Sequence, residues 1–500
     1  MKILIDTNIF IQLEDSNKEI ANEFAEFHKI AVKYCQLRIH PKSREDIERD
    51  SDTKRRSEML SRIRKYEELK APPEPTIDFL KRINCNVGNP RDLVDAYFLY
   101  ALKQNCVDIL ISEDVGLHAK ARKCSLENVY RRSEGLAFLK TLYEKIQVEI
   151  PHIWNEKLYN LNKDDLIFDS LKSDYPEMKD SPSFEKWFVQ CQKDGRDVWV
   201  YYLDRNKNIG GICIYKDESG SRQLFSGRVM KVCTFKVADQ AQGNKVGELL
   251  IKNLFMYCIE NKYEKAYVTV FEKHSLLIDL FVEFGFQLDN RLTSRGEKIL
   301  FKEFAKPDVN ETNKFNKLDF YIKFLPYFYV KKSEKKFIVP IIPVWHTLLF
   351  PDYKMPQREL FPTTESYASG NSIKKAYLCN SKRKDLKVGD LIMFYRSQDL
   401  KRITTLGIIE NIKMSSDADE ISAFVGKRTV FPLESIQEIC KRGVLAILFR
   451  QIGHLHDGMR FQDLSVHKII NNRLESITAI SHNSFKILAE KFKDECIFTN

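Results

Sequence analysis

Residues Thr234–Leu254, TFKVADQAQGNKVGELLIKNL, decide how the middle of this chain folds. β-Favouring residues run up to Val237, a polar turn follows, and from Val246 apolar residues recur every three to four positions. That order spells strand, turn and helix. Gly243 and Gly247 flank the turn, so free backbone N–H groups and the positive end of a helix dipole are presented together, a natural phosphate seat. Alone this is a weak signal. Two neighbours strengthen it, the strand KAYVTVF (265–271) and the helical stretch HSLLIDLFVEFGF (274–286).

Working outward, three regions differ in pattern. Residues 1–145 alternate short apolar strands, KILI (2–5) and VDILIS (107–112), with helical periodicity in NKEIANEFAEFHKIAVKYCQL (17–37) and PRDLVDAYFLYALKQN (90–105). This βα alternation predicts a mainly parallel α/β sheet. Residues 151–305 carry longer strands, DVWVYYLD, GGICIYKDE and VMKVCTFKVA, around two helices, and predict a more antiparallel α+β unit. The polar stretch KEFAKPDVNETNKFNKLDFY (302–321) reads as a connector, and beyond it PYFYV, KKFIVPIIPV, DLIMFYR, TTLGIIENI and GVLAILFR predict a largely β unit. The expected architecture is multidomain α/β, with domains at 1–147, 148–306 and 325–500 and a connector at 307–324.

No apolar run is long enough to span a membrane, and Asp6 and Asn8 interrupt what a signal peptide keeps hydrophobic, so a cytoplasmic protein is expected. The eleven cysteines form no CxxC pair and no zinc-type spacing, which predicts reduced thiols that hold no metal. The net charge of +10 divides as +2 over 1–145, −1 over 146–305 and +9 over 306–500. The basic surplus of the last region favours a polyanionic partner, nucleic acid above all.

In the first region Asp6 ends a strand, Asp46 and Asp95 lie near helix starts, and Asp114 follows the strand DILIS. Helix starts favour carboxylates by about 0.3–1 kcal/mol, which by itself accounts for Asp46, Asp92 and Asp95. The ordered set ILIDTNIF, an acid on a helix, DLVDAYFLYAL and LISEDVGL resembles the PIN-domain family of metal-dependent ribonucleases over residues 1–145. The resemblance implies that Asp6, Asp46, Asp95 and Asp114 meet at the carboxyl edge of the sheet and bind Mg²⁺ or Mn²⁺ for phosphodiester cleavage, with Glu45 a rival for Asp46. Thr7, Asn8 and Ser112 would then hydrogen-bond the carboxylates or water, while Asp92 is either a further ligand or a helix cap. The basic helix TKRRSEMLSRIRKYEELK could guide an RNA backbone or form an ordinary solvated face.

The loop at 242–247, with KAYVTVF and HSLLIDLFVEFGF, resembles the GNAT family of acetyl-CoA-dependent N-acetyltransferases over about 160–305. The resemblance implies acetyl-CoA held at Val237, Gln242, Gly243, Asn244, Lys245, Val246 and Gly247. Lys245 takes a position usually glycine, where its side chain either adds charge to the pyrophosphate or crowds it. Phe281 takes the place of a tyrosine that often protonates the departing thiolate, and phenylalanine has no proton to give. A neighbouring Tyr or Cys as acid, or CoA binding without turnover, are the alternatives.

The stretch SIKKAYLCNSKRKDLKVGDLIMFYRSQDLKRITTLGIIENI (372–412) resembles the PUA-like barrels of the ASCH and EVE group, covering about 325–495. That resemblance implies RNA reading, with Lys382, Arg383, Lys384, Tyr395, Arg396 and Arg402 as candidate contacts, aromatics stacking bases and cations holding phosphates. Alternate apolar residues on such strands equally serve as core, and Trp345 and His346 are candidates for a pocket wall, with core packing the favoured expectation. Together the resemblances imply a metal-dependent ribonuclease fused to an acetyltransferase module and an RNA-reading barrel. The implied partners are RNA, tRNA included, and an antitoxin or other protein, as in a bacterial toxin or defence effector. The alternatives are an acetyltransferase whose flanking domains only recognise RNA or a protein, and a non-enzymatic RNA-binding regulator. Homo-oligomers stay open.

Overall fold

The computed structural model describes residues 1–14, 22–143 except 125 and 127, 153–172, 183–203, 207–220, 224–353, 372–397, 400–455, 458–470, 474, 476–490 and 496–498. The chain forms two compact units, Met1–Ile146 with Lys413–Val444, and Gln147–Ile412 with Leu445–Asn500.

In the first unit β1 (Lys2–Ile5), β2 (Gln36–Ile39), β3 (Glu67–Glu68), β4 (Ile109–Ile111) and β5 (Val129–Tyr130) form a parallel sheet in the order β3-β2-β1-β4-β5. The parallel sheet expected of this region is present. Ile3, Leu4 and Ile5 are fully buried because β1 is central and covered on both faces, which is why KILI is continuously apolar. The helix Pro90–Lys103 starts with Pro90 at its first position behind Asn89, whose side chain accepts from Arg91 N, and it buries Val94, Ala96, Phe98 and Leu99.

The segment 413–444 departs from the sequence reading, which placed all of 325–500 in one domain. Its helices Ala418–Val425 and Leu433–Cys440 belong to the first unit. Lys427 Nζ pairs with Glu134 Oε1 at 2.6 Å, and Gly426, at φ 52°, lets the backbone lie against Tyr130 where a Cβ would collide with the phenol. Burial alone would raise Glu134, but Lys427 and the Arg131 N–H outweigh it and hold the carboxyl down at about 2.

The second unit opens with a seven-stranded mixed sheet of β6 (Ile153–Lys157), β7 (Asp197–Tyr202), β8 (Ile209–Asp217), β9 (Val229–Val237), β10 (Lys265–Val270), β11 (Gln287–Leu292) and β12 (Lys298–Glu303), ordered β11-β12-β10-β9-β8-β7-β6. β9 and β10 run parallel and the other neighbours antiparallel. The helix Val246–Glu260 buries Val246, Leu250, Ile251, Leu254, Phe255 and Cys258 against it. Gly211 permits the close approach, since a Cβ there would come 2.6 Å from Val246 Cγ1.

The segment expected as a connector at 307–324 has regular structure of its own. Residues Lys317–Phe324 are helical behind an Asn316 cap that accepts from Asp319 N at 2.9 Å, and Phe320 and Tyr321 are buried. Polar neighbours masked the three-to-four spacing of Phe320, Tyr321 and Phe324. Beyond it, β13 (Phe328–Val330) pairs with the terminal strand β20 (Cys496–Phe498). β14 (Lys336–Ile341), β15 (Lys374–Cys379), β16 (Leu391–Arg396), β17 (Arg402–Ser415), β18 (Val444–His454) and β19 (Thr478–Ile480) form a six-stranded sheet ordered β15-β18-β17-β16-β14-β19. One apolar core runs from Trp199 and Phe255 through Tyr321 and Phe328 to Leu391 and Phe485, so the two sheets of this unit share an interior. Among the described residues no helix is long and apolar enough to cross a membrane.

Candidate active site

β9 carries a bulge. Its partner register jumps from Ile214/Thr234 to Tyr215/Val232, leaving Cys233 as the extra residue. On the other side the ladder with β10 runs from Val229/Lys265 to Val232/Val268 and stops there, although β9 continues to Val237. A bulge bends its strand and sharpens local twist, so β9 turns away from β10 and its far half keeps an open edge. The sequence reading missed this device, yet a signal was present: the core residues Met230, Val232 and Phe235 are spaced by two and then three.

The open edge leads into the 242–247 loop. Gly243 has φ 86° and Lys245 φ 59°, a left-handed backbone that accounts for glycine being usual at the lysine position. Lys245 is the N-cap of the helix Val246–Glu260 and supplies no side-chain cap, so the first helical N–H groups, Val246 and Gly247, have no intrahelical acceptor. Their positive pole is what an anion needs. The Lys245 side chain is drawn aside, its Nζ 2.7 Å from Glu248 Oε1 with both side chains 8% exposed. Phe281 is fully buried between Phe235 and Phe286, with ring centroids at 5.1 and 4.8 Å.

In the first unit Asp6 and Asp114 both follow parallel strands and so lie at one sheet edge. Asp6 is buried and accepts from Ser112 Oγ at 2.6 Å, and Ser112 Oγ in turn accepts from Asp114 N. Burial pushes the Asp6 carboxyl up to about 7, against the Ser112 hydrogen bond, with Asp95 and Asp114 adding repulsion. Asp95 rises to about 6 by burial, against Lys120, with Asp114 and Asp92 contributing. Three of the expected acids therefore share one electrostatic environment.

Asp46 lies 3.6 Å from Arg49, and Glu45 pairs with Lys42 at 2.6 Å. Lys120 donates to Asp92 and, at 2.7 Å, to Asp95, standing where a cation would be required. Asp114 caps the helix Val115–Lys123 by accepting from Leu117 N. Thr7 is buried with its hydroxyl unpartnered, its backbone rather than its side chain bonding the Asp6 carboxyl, and Asn8 is exposed. Among the described residues no three His, Cys, Asp or Glu side chains converge closely enough to hold a metal ion.

The proposed RNA contacts scatter. Tyr395 is 5% exposed and belongs to the core, a correction to its reading as a stacking platform. Arg383 is committed to Asp385, at 2.7 Å, and to the Ile477 carbonyl. Arg396 reaches His346 Nδ1 at 3.2 Å and Thr347 at 3.3 Å, and Arg402 is half-buried opposite it in the β16/β17 register. Lys382 and Lys384 are exposed. His346 is fully buried, as expected of core.

Residues 156–286 match the acetyltransferase (GNAT) family model. The chain carries a GNAT-family domain. Spermine/spermidine N(1)-acetyltransferase of Bacillus subtilis is 33% identical over 70 residues, 14% of this chain and 46% of that protein, and a probable spermine N(1)-acetyltransferase of Bacillus subtilis subsp. natto matches to the same extent. The chain thus spans less than half the length of the curated relatives it matches. Similar solved structures include an ASCH protein from Zymomonas mobilis, with TM-score 0.24 and 12% identity, covering 31% of this chain and 94% of that one. A GNAT-superfamily phosphinothricin acetyltransferase from Sinorhizobium meliloti in complex with AcCoA has TM-score 0.25 and 14% identity, covering 32% and 95%. The bulge, the open edge of β9 and the 242–247 loop all fall inside the GNAT-matching segment.

Proposed function

We propose that the protein is an N-acetyltransferase using acetyl-CoA. The observation that carries this is the opening of β9 from β10 at Cys233, leading directly to an uncapped helix amino terminus. The residues fit the cofactor: the N–H groups of Val246 and Gly247 would face its pyrophosphate, and the open edge of β9 up to Val237 would pair with the amides of its pantetheine arm. Acetyl-CoA supplies an acyl thioester. An amine nitrogen would attack the carbonyl, forming a C–N bond as the C–S bond breaks, with the amine's proton passing to water and CoA leaving as its thiolate. A thiol of ordinary pKa near 8.5 departs as thiolate close to neutral pH, so Phe281 slows this step without forbidding it. The acceptor is a primary amine, and the polyamines acted on by the Bacillus relatives are the first candidates.

Calorimetry with acetyl-CoA on the wild type and on Gly243→Trp tests the reading. Heat with the first and its loss with the second is expected. No heat from the wild type overturns it.

A second reading concerns the first unit, where Asp6, Asp95 and Asp114 share one field. That sharing supports a metal-dependent ribonuclease, while the pairing of Lys120 with Asp92 and Asp95 counts against it. Asp6→Asn combined with Asp114→Asn should abolish Mn²⁺-dependent cleavage of RNA with the melting temperature kept. Cleavage unchanged by the pair removes the reading.

A further inference from the structure

The helix that begins at the 242–247 loop is fastened to the carboxyl-terminal sheet by charge. Lys245 holds Glu248, and four residues further along the helix Lys252 donates from Nζ to Asp352 Oδ2. The same Asp352 oxygen lies 3.0 Å from His454 Nε2 at the end of β18, and His454 Nδ1 shares a hydrogen bond with Thr405 Oγ1 on β17 at 2.9 Å. Lys375 of β15 sits in the same enclosure, fully buried. Burial, with Lys252 nearby, pushes its ammonium well below the usual lysine range, and Asp352 and Glu248 oppose that push. For Asp352 burial alone would raise the carboxyl, but Lys252 and then His454 outweigh it and hold it well below the ordinary value. The lysine fields acting along the first two turns of the helix are therefore met by Glu248 on the helix itself and by Asp352, which comes from outside the GNAT-matching segment.

We propose that Asp352 is a positioning residue for the acetyl-CoA loop: by joining Lys252 to His454 it fixes the helix Val246–Glu260 and keeps Glu248 engaged with Lys245, so that the helix amino terminus stays open to the cofactor. The inference rests on the acetyl-CoA reading above. Without the Asp352 charge the tie from Lys252 to His454 is lost, and the first turns of the helix lose their anchor to β18.

The test is acetyl-CoA calorimetry, turnover, and amide exchange of residues 246–249 in the ligand-free protein, on the wild type, Asp352→Asn, Asp352→Glu and Lys252→Met. Asp352→Asn should weaken acetyl-CoA binding about fivefold or more while leaving kcat at saturating acetyl-CoA within about twofold. It should also speed exchange of those amides, and Asp352→Glu should recover most of both. Lys252→Met should reproduce the loss, with the double variant no worse than either single, because both break one pair. If Asp352→Asn does not fold, Lys252→Met alone decides. Binding and exchange like the wild type in the folded variants, or losses that simply add, overturn the inference while the acetyl-CoA reading stands. Absence of heat from the wild type instead overturns the acetyl-CoA reading, and this inference with it.

Discussion

Lys245 shows how one residue can depart from a family pattern without closing the site. Its backbone adopts the conformation glycine takes freely, at a cost of about 1 kcal/mol, and its ammonium is occupied by Glu248. Lys245→Gly should therefore bind acetyl-CoA within about threefold of the wild type by calorimetry; a loss of about tenfold would show the ammonium on the pyrophosphate instead. Phe281 departs in a different way, as a core residue. Phe281→Leu should lower unfolding free energy by about 1–2 kcal/mol in urea and leave kcat within about threefold, since the ring packs and donates nothing.

At the scale of elements, the segment 413–444 leaves β17, forms two helices in the first unit and returns as β18. Lys427 compensates Glu134 there, so Lys427→Met leaves a largely enclosed carboxylate without its cation. The expected cost is about 2 kcal/mol by chemical denaturation at pH 7. The sign of the pH dependence follows from a folded value of about 2 against the ordinary 4.5. The pair's stabilisation is present above pH 4.5 and is lost as pH falls through that value towards 2, so wild type and variant should converge in acid. A penalty equal at pH 7 and pH 3 would show that Glu134 is not the group responsible. Sequence periodicity read the strands on either side of this insertion correctly but gave no sign of where it docks. Docking is decided by Glu134 and Tyr130, nearly three hundred residues earlier in the chain.

At the scale of the molecule, the GNAT-family domain is not a bead on a string. It shares a core with the carboxyl-terminal sheet, and the junction is tight at Gly285, whose φ of 89° brings it against the Ile322 carbonyl. Fully buried Lys302 donates to the Ile322 and Lys323 carbonyls at 3.1 and 2.7 Å, ending the helix Lys317–Phe324. Gly285→Ala has neither the space nor the backbone conformation it needs, and should cost about 3 kcal/mol or more. The calorimetric transition of the second unit should fall by several degrees as a whole, because its two sheets melt together. A loss confined to the GNAT-family domain would contradict the shared core.

Much of this protein was legible in local pattern. Alternating βα segments announced the parallel sheet around Asp6, and the run from Thr234 to Leu254 announced a strand, a glycine turn and a helix suited to a phosphate. Such features depend on neighbours within a few residues, which is the range over which periodicity and turn chemistry act. Other assignments were made only by folding: Lys120 between Asp92 and Asp95, Tyr395 inside the core, Lys427 on Glu134, and Asp352 on Lys252. Each is a choice of partner between side chains far apart in sequence. Burial sets the energy of that choice, because a charge removed from water must find its counter-charge wherever the fold has brought one.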